Sequence, residues 1–112
     1  MKISVDLDKP LICTAFALAR DPAMSTYQRD GFFSAFLEAA WQHLKKKNHG
    51  ALVGALLWAW GGEGRPSNEP TLWQMGAQWT GDPPGEQQGR LSVLDSDGTT
   101  VELLQARATS VP

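Results

Sequence analysis

The sequence predicts an α/β fold built on a strand–helix–strand unit with parallel strands. Two runs, Leu11-Ile12-Cys13-Thr14-Ala15-Phe16 and Ala51 to Trp60, are apolar at both odd and even positions. That is the pattern of strands covered on both faces, as in a parallel sheet. Between them Phe33, Phe36, Leu37, Ala40, Trp41 and Leu44 recur at spacings of three and four, which lines one face of a helix. The connection is long enough to carry the chain back and start a parallel partner.

Each element has local signals at its ends. Lys9-Pro10 leads into the first strand, and Arg20-Asp21-Pro22 marks the loop after it. Ser25-Thr26-Tyr27-Gln28 reads as a capping box, with Ser25 as N-cap and Gln28 at the third position. The helix then runs to about Lys47, where Lys45-Lys46-Lys47 suits the negative end of the helix dipole. Asn48-His49-Gly50 ends it, with Gly50 suited to a left-handed cap. From Gly61 to about Gly98 no period is sustained, and Gly, Pro, Gln and Asp are frequent. A loop of that length in a compact domain is functional or disordered, and its tryptophans and Leu91-Ser92-Val93-Leu94 argue against full disorder. Thr99-Thr100-Val101-Glu102 reads as a second capping box, opening a short helix through about Ala108 before the chain ends at Pro112. The 112 residues form one domain without internal repeats.

Several functions are disfavoured by composition and spacing. A net charge of −2 makes no electrostatic case for nucleic acid or an anionic membrane. The longest apolar run is too short to span a bilayer, and Met1 to Asp6 lacks the pattern of a signal peptide, which leaves localisation open. Cys13 is the single cysteine, so no internal disulfide forms, and its apolar surroundings suit an inert thiol. Gly61-Gly62-Glu63-Gly64 lacks the spacing of a dinucleotide loop. His43 and His49 have no partners at metal-ligand spacing, so neither a metal nor another cofactor is expected.

Tryptophans are the stronger signal. Trp58, Trp60, Trp73 and Trp79 all lie on or after the end of the second strand, where βα architectures place function. An indole stacks on the C–H face of a sugar ring while neighbouring polar groups bond the hydroxyls. Strand alternation would point Trp58 and Trp60 the same way, with Ala59 opposite. The alternative is that they plug the end of a core, and the pattern alone leaves both open.

A family resemblance enters through several motifs in order. Tyr27-Gln28-Arg29-Asp30, the stretch GALLWAWGGEGRPS from Gly54 to Ser67, Gly81-Asp82-Pro83-Pro84 and Ser92-Val93-Leu94-Asp95-Ser96-Asp97 resemble the last part of the β-mannanases of glycoside hydrolase family 5. The resemblance covers nearly the whole chain. It implies a partial (β/α)₈ TIM barrel containing strands 7 and 8 and their helices, with a long loop at about 61–98. It also implies endo-acting, retaining hydrolysis of β-1,4-mannan, carried out by an acid/base glutamate and a nucleophilic glutamate. The family is usually secreted.

The nucleophile of that family lies in a segment resembling KPLVLEEFGLPRD. Here Lys9 to Asp21 matches it without a gap, the two glutamates fall on Thr14 and Ala15, and Ala15 stands at the nucleophile position. A methyl group cannot attack an anomeric carbon. The acid/base strand would lie outside the chain. Glu63, the nearest carboxylate past the second strand, sits in a loop, where the placement that retaining chemistry needs is hard to hold. The expected substrate-binding residues are therefore Trp58 first, then Trp60, Trp73 and Trp79, with no catalytic residue and with β-mannan or manno-oligosaccharide as the weak or lost ligand. Two strands cannot close a barrel, so self-association or a complementing barrel fragment is expected. A non-catalytic sugar-binding remnant and a self-assembling α/β unit are the alternatives.

Overall fold

A computed structural model describes residues 6, 8–21, 23–44, 52–67 and 71–110. The Lys45–Lys47 run, the His49-Gly50 cap, Pro22, the start of the second strand at Ala51 and Pro112 lie outside the described residues, as does the side chain of Leu44.

In chain order the elements are β1 (Leu11–Phe16), α1 (Thr26–Leu44), β2 (Leu52–Leu57), β3 (Trp60–Gly62), β4 (Val93–Leu94) and α2 (Gly98–Thr109). β1 and β2 pair in parallel, Leu11 opposite Leu52 and Phe16 opposite Leu57, with α1 as the crossover. The first capping box forms as its sequence predicts: the Ser25 N–H donates to Gln28 Oε1 at 2.9 Å, and the Gln28 N–H donates to Ser25 Oγ at 3.3 Å. Between them these two bonds satisfy N–H groups that the first helical turn leaves without partners.

The core lies between the sheet and the two helices. Phe16, Phe33 and Val93 are buried at its centre, with Phe36, Leu37, Ala55, Leu57 and Leu104 packed around them. Phe16 stacks on Phe36 with ring centroids 4.3 Å apart and meets Phe33 edge-on at 6.0 Å. Cys13 and Phe16 both join this cluster although they are three residues apart. A regular strand would send them to opposite faces. The pairing register shifts between Cys13 and Phe16, which lets both turn toward α1.

Three expectations are corrected. The strands are not covered on both faces: in β1 only Phe16 is buried, while Leu11, Ile12, Val53 and Leu56 are exposed, Ile12 and Val53 at 52% and Leu56 at 56%. The helices cover one face, and nothing among the described residues covers the other. The second strand does not continue to Trp60. It stops at Leu57, the Trp58–Ala59 peptide is cis, and the chain resumes as β3, which pairs in parallel with β4 instead of β1. Finally, the second capping box does not form. The N-cap of α2 is Asp97, and the hydroxyls of Thr99 and Thr100 donate to the carboxylate of Asp30 on α1. Trp41, on the predicted stripe, is half-buried between the helices and β2.

Candidate functional site

The parallel ends of β1 and β2 are joined by the Trp58 N–H, which donates to Phe16 O at 3.0 Å. Ala15 and Trp58 therefore lie at the same end of the sheet. Ala15 and Thr14 are exposed, and Trp58 is 38% exposed. Among the described residues this is where an aromatic side chain and the predicted nucleophile position come together.

The other tryptophans are distributed elsewhere. Trp60, 57% exposed, lies over α2, where it borders a shallow groove with Val101, Leu104, Gln105 and Ala108. The expectation that Trp58 and Trp60 point the same way rested on strand alternation, and that premise is lost because the two residues sit on either side of the break between β2 and β3. Trp73 and Trp79 form their own pair on the loop, edge-to-face with centroids 6.0 Å apart. Trp73 Nε1 donates to Ala77 O at 3.1 Å, and Trp79 is 50% exposed.

The glycine-rich stretch after Trp60 has a packing role. A Cβ built on Gly61 would lie 2.4 Å from the Thr80 carbonyl oxygen, far inside contact distance. Gly81, with φ at +92°, would place a Cβ 2.9 Å from the Trp60 carbonyl oxygen. Residues 79–81 thus run directly against 60–64, an approach that a Cβ at Gly61, Gly64 or Gly81 would block.

What holds the long loop is a set of buried polar groups that hydrophobic periodicity does not register. Arg20, just beyond β1, forms a forked pair with Asp97 at 2.7 and 2.8 Å and donates to the carbonyls of Gly89 and Ser92. Arg29, buried in the first turns of α1, donates to Leu18 O, Leu91 O and Ser92 O, reaches Asp97 at 3.3 Å and lies 5.2 Å from the centre of the Phe33 ring. Asp82, fully buried, accepts from the Leu91 N–H and the Ser92 hydroxyl. Gln88 accepts from the N–H and hydroxyl of Thr80 and donates to the carbonyls of Asp82 and Pro83.

Electrostatics follow from this geometry. Burial works against ionised Asp97, but hydrogen bonds from Arg20 and the Leu94 N–H, with the charges of both arginines, hold its carboxyl below the usual range. The Arg20 guanidinium is raised, chiefly by its bond to Asp97, while burial and the charge of Arg20 lower Arg29. One sequence signal for this network exists. Arg29 lies four residues before Phe33 and so falls on the apolar stripe, where a charged residue must find partners. No group of three metal-ligating side chains occurs among the described residues, and none of their helices is long and apolar enough to cross a membrane.

Comparison with known proteins identifies the class. Solved structures that resemble the chain include glycoside hydrolases. The mannosidase of glycoside hydrolase family 5 from Rhizomucor miehei matches with a TM-score of 0.72 at 28% identity, over 96% of this chain and 28% of that one. A point mutant of the same enzyme matches with a TM-score of 0.71 at 29% identity, over the same shares of each chain. A second mutant, in complex with mannosyl-fructose, matches with a TM-score of 0.67 at 27% identity, over 99% of this chain and 30% of that one. The model of the family 5 β-mannosidase-like proteins matches residues 1–112, and the chain belongs to that family. It spans less than a third of the length of the solved structures that it matches. No curated protein matches it.

Proposed function

We propose that the chain is the part of a family 5 β-mannoside-hydrolysing barrel that carries strands 7 and 8, and that it offers a sugar platform without the nucleophile. The observation that supports this most is the shared position of Ala15 and Trp58 at one end of the β1–β2 sheet. Retaining hydrolysis uses two carboxyl groups roughly 5–5.5 Å apart, one as acid/base and one to form the glycosyl-enzyme bond. With Ala15 at the second position no such bond forms. The indole of Trp58 keeps the apolar surface on which a mannose ring can stack. β-Mannosides as the ligand class follow from the family and from the mannosyl-fructose complex of its relative. Endo-action on β-1,4-mannan rests on the motif resemblance alone, and the products released from mannohexaose by a completed barrel would test it.

A non-catalytic sugar-binding role is the second reading, favoured by the partial exposure of Trp58 beside Ala15. Titration of the chain with mannotriose, followed by tryptophan fluorescence, tests the platform. Quenching that Trp58→Ser removes is expected. No response at millimolar sugar would count against any platform, and an unchanged response in Trp58→Ser would relocate it.

A further inference from the structure

We infer that Trp73 and Trp79, on the long loop, form a second sugar-binding site, which takes pyranose units of a β-mannoside chain beyond the unit stacked on Trp58. The inference rests on the platform reading above for its ligand class, and it adds a site made of separate residues.

Three observations point to this pair. First, the loop itself holds the indoles in place. Trp73 Nε1 donates to Ala77 O at 3.1 Å, and the two rings meet edge-to-face at 6.0 Å. An antiparallel bridge between Leu72 and Gln87 ties the same segment back across the loop. An aromatic surface fixed before binding loses little freedom when a ligand arrives. Second, that surface is not spent on the core. Trp79 is half exposed, and Leu72 and Met75 on the same segment are exposed too. Among the described residues, those packed around Phe16, Phe33 and Val93 include neither tryptophan. An edge-to-face contact occupies at most one face of a ring, so Trp79 keeps the other for the C–H face of a sugar. Third, polar groups stand beside the pair. Gln78 Oε1 accepts from the Arg65 N–H at 2.9 Å, which leaves the Nε2 amide to donate to a hydroxyl. The Arg65 guanidinium pairs with Asp95 at 2.7 Å, and both side chains are exposed. An apolar platform with a few placed polar groups is what a sugar site needs.

The path of the chain brings the pair near Trp58. After β2 ends at Leu57, the chain passes Trp58 and runs through β3 into a turn closed by the Gly64 N–H on Gly61 O. The Trp79 backbone lies against that turn, since a Cβ built on Gly64 would fall 2.6 Å from the Trp79 carbonyl oxygen. Three residues of chain, at most about 11 Å, and a turn of under about 7 Å separate Trp58 from Gly64. Both aromatic surfaces are thus within the span of one hexasaccharide, while a trisaccharide seated on Trp58 is expected to fall short of the pair. Two contacts on one ligand multiply affinity, because the second is made at high local concentration.

The test is calorimetric titration of the 112-residue chain with mannotriose and with mannohexaose. Mannohexaose should bind at least about tenfold more tightly. Trp79→Ser should remove that gain and leave mannotriose affinity within about twofold, as for independent sites. Trp79→Phe keeps an aromatic face and should keep most of the gain. Gln78→Ala, which removes only the amide donor, should lower mannohexaose affinity about two- to tenfold. All three substitutions are at exposed positions, and unchanged circular dichroism checks that the fold survives. Equal affinity for the two sugars in the unmodified chain would overturn the inference. So would a gain that survives Trp79→Ser, or a variant that weakens both sugars alike. A change of molar mass on Trp79→Ser, seen by light scattering, would assign the pair to contact between copies and overturn it too. The platform is judged separately. If mannotriose binding depends on Trp58 but mannohexaose gains nothing, the platform stands and the second site fails. If mannotriose does not bind while mannohexaose binds through Trp79, the platform fails and the second site stands.

Discussion

The sheet and the long loop invert the usual relation between polarity and burial. In the sheet, Leu11, Ile12, Val53 and Leu56 are apolar and exposed. In the loop, Thr80, Asp82, Gln88 and Ser92 are polar and buried. The loop is complete in itself, because each of these polar groups has its hydrogen-bond partners. The sheet is incomplete, because among the described residues one face and two strand edges lack the apolar layer and pairing that parallel strands require. The region that looks irregular in sequence is thus the better satisfied one, and the region that looks like an ordinary core carries the unmet surface.

This contrast can be broken first at Asp97. Removing its carboxylate in Asp97→Ala would leave Arg29 buried without its ion-pair partner, at a cost of about 3–5 kcal/mol in denaturant unfolding. Replacing Arg29 by methionine should cost less, since no unpaired charge would remain on that side. Next is Gly61→Ala. The new methyl would meet the Thr80 carbonyl, so residues 79–81 must move away, for a loss of about 1–3 kcal/mol and a changed Trp79 fluorescence.

Acid should loosen the loop before the sheet. The Asp97 carboxyl is depressed in the folded state, so its contribution to stability is present above the unfolded value of about 3.9 and is lost as pH falls through the folded value. Unfolding free energy measured from pH 6 downward should fall below about pH 4, and Asp97→Asn should remove that part of the dependence. The smallest effect is expected at the sheet. Leu56→Lys should change the stability of the isolated chain by no more than about 0.5 kcal/mol, because Leu56 is exposed. The same change should reduce binding of a hydrophobic dye, as expected of an exposed apolar face and not of a core face.

Sequence and structure agree where one physical signal dominates. β1 and α1 were legible because Leu11–Phe16 is a short apolar run between Pro10 and the Arg20-Asp21 loop, the stripe through Phe33 and Ala40 has a clear period, and Ser25 and Gln28 cap each other. The end of β2 was not legible. Leu56 to Trp60 is continuously apolar, and the change of partner from β1 to β4 depends on residues more than thirty positions later. Thr99 misled for a similar reason, since its hydroxyl is taken by Asp30, 69 residues earlier. The tryptophans stood out in the composition, but their division among the strand end, the α2 groove and the loop pair needed the fold. The same is true of the polar loop network, in which Arg20 and Asp97 meet across 77 residues.

The most direct measurement is β-mannoside hydrolysis by the chain combined with the segment of the Rhizomucor miehei mannosidase that lies outside the match, with and without Ala15→Glu. The unmodified combination should release no product, the Ala15→Glu chain alone should release none, and Ala15→Glu with the segment should hydrolyse the substrate. Hydrolysis by the unmodified chain, or a combination that stays silent with glutamate in place although the complex forms, would contradict the assignment of Ala15 to the nucleophile position.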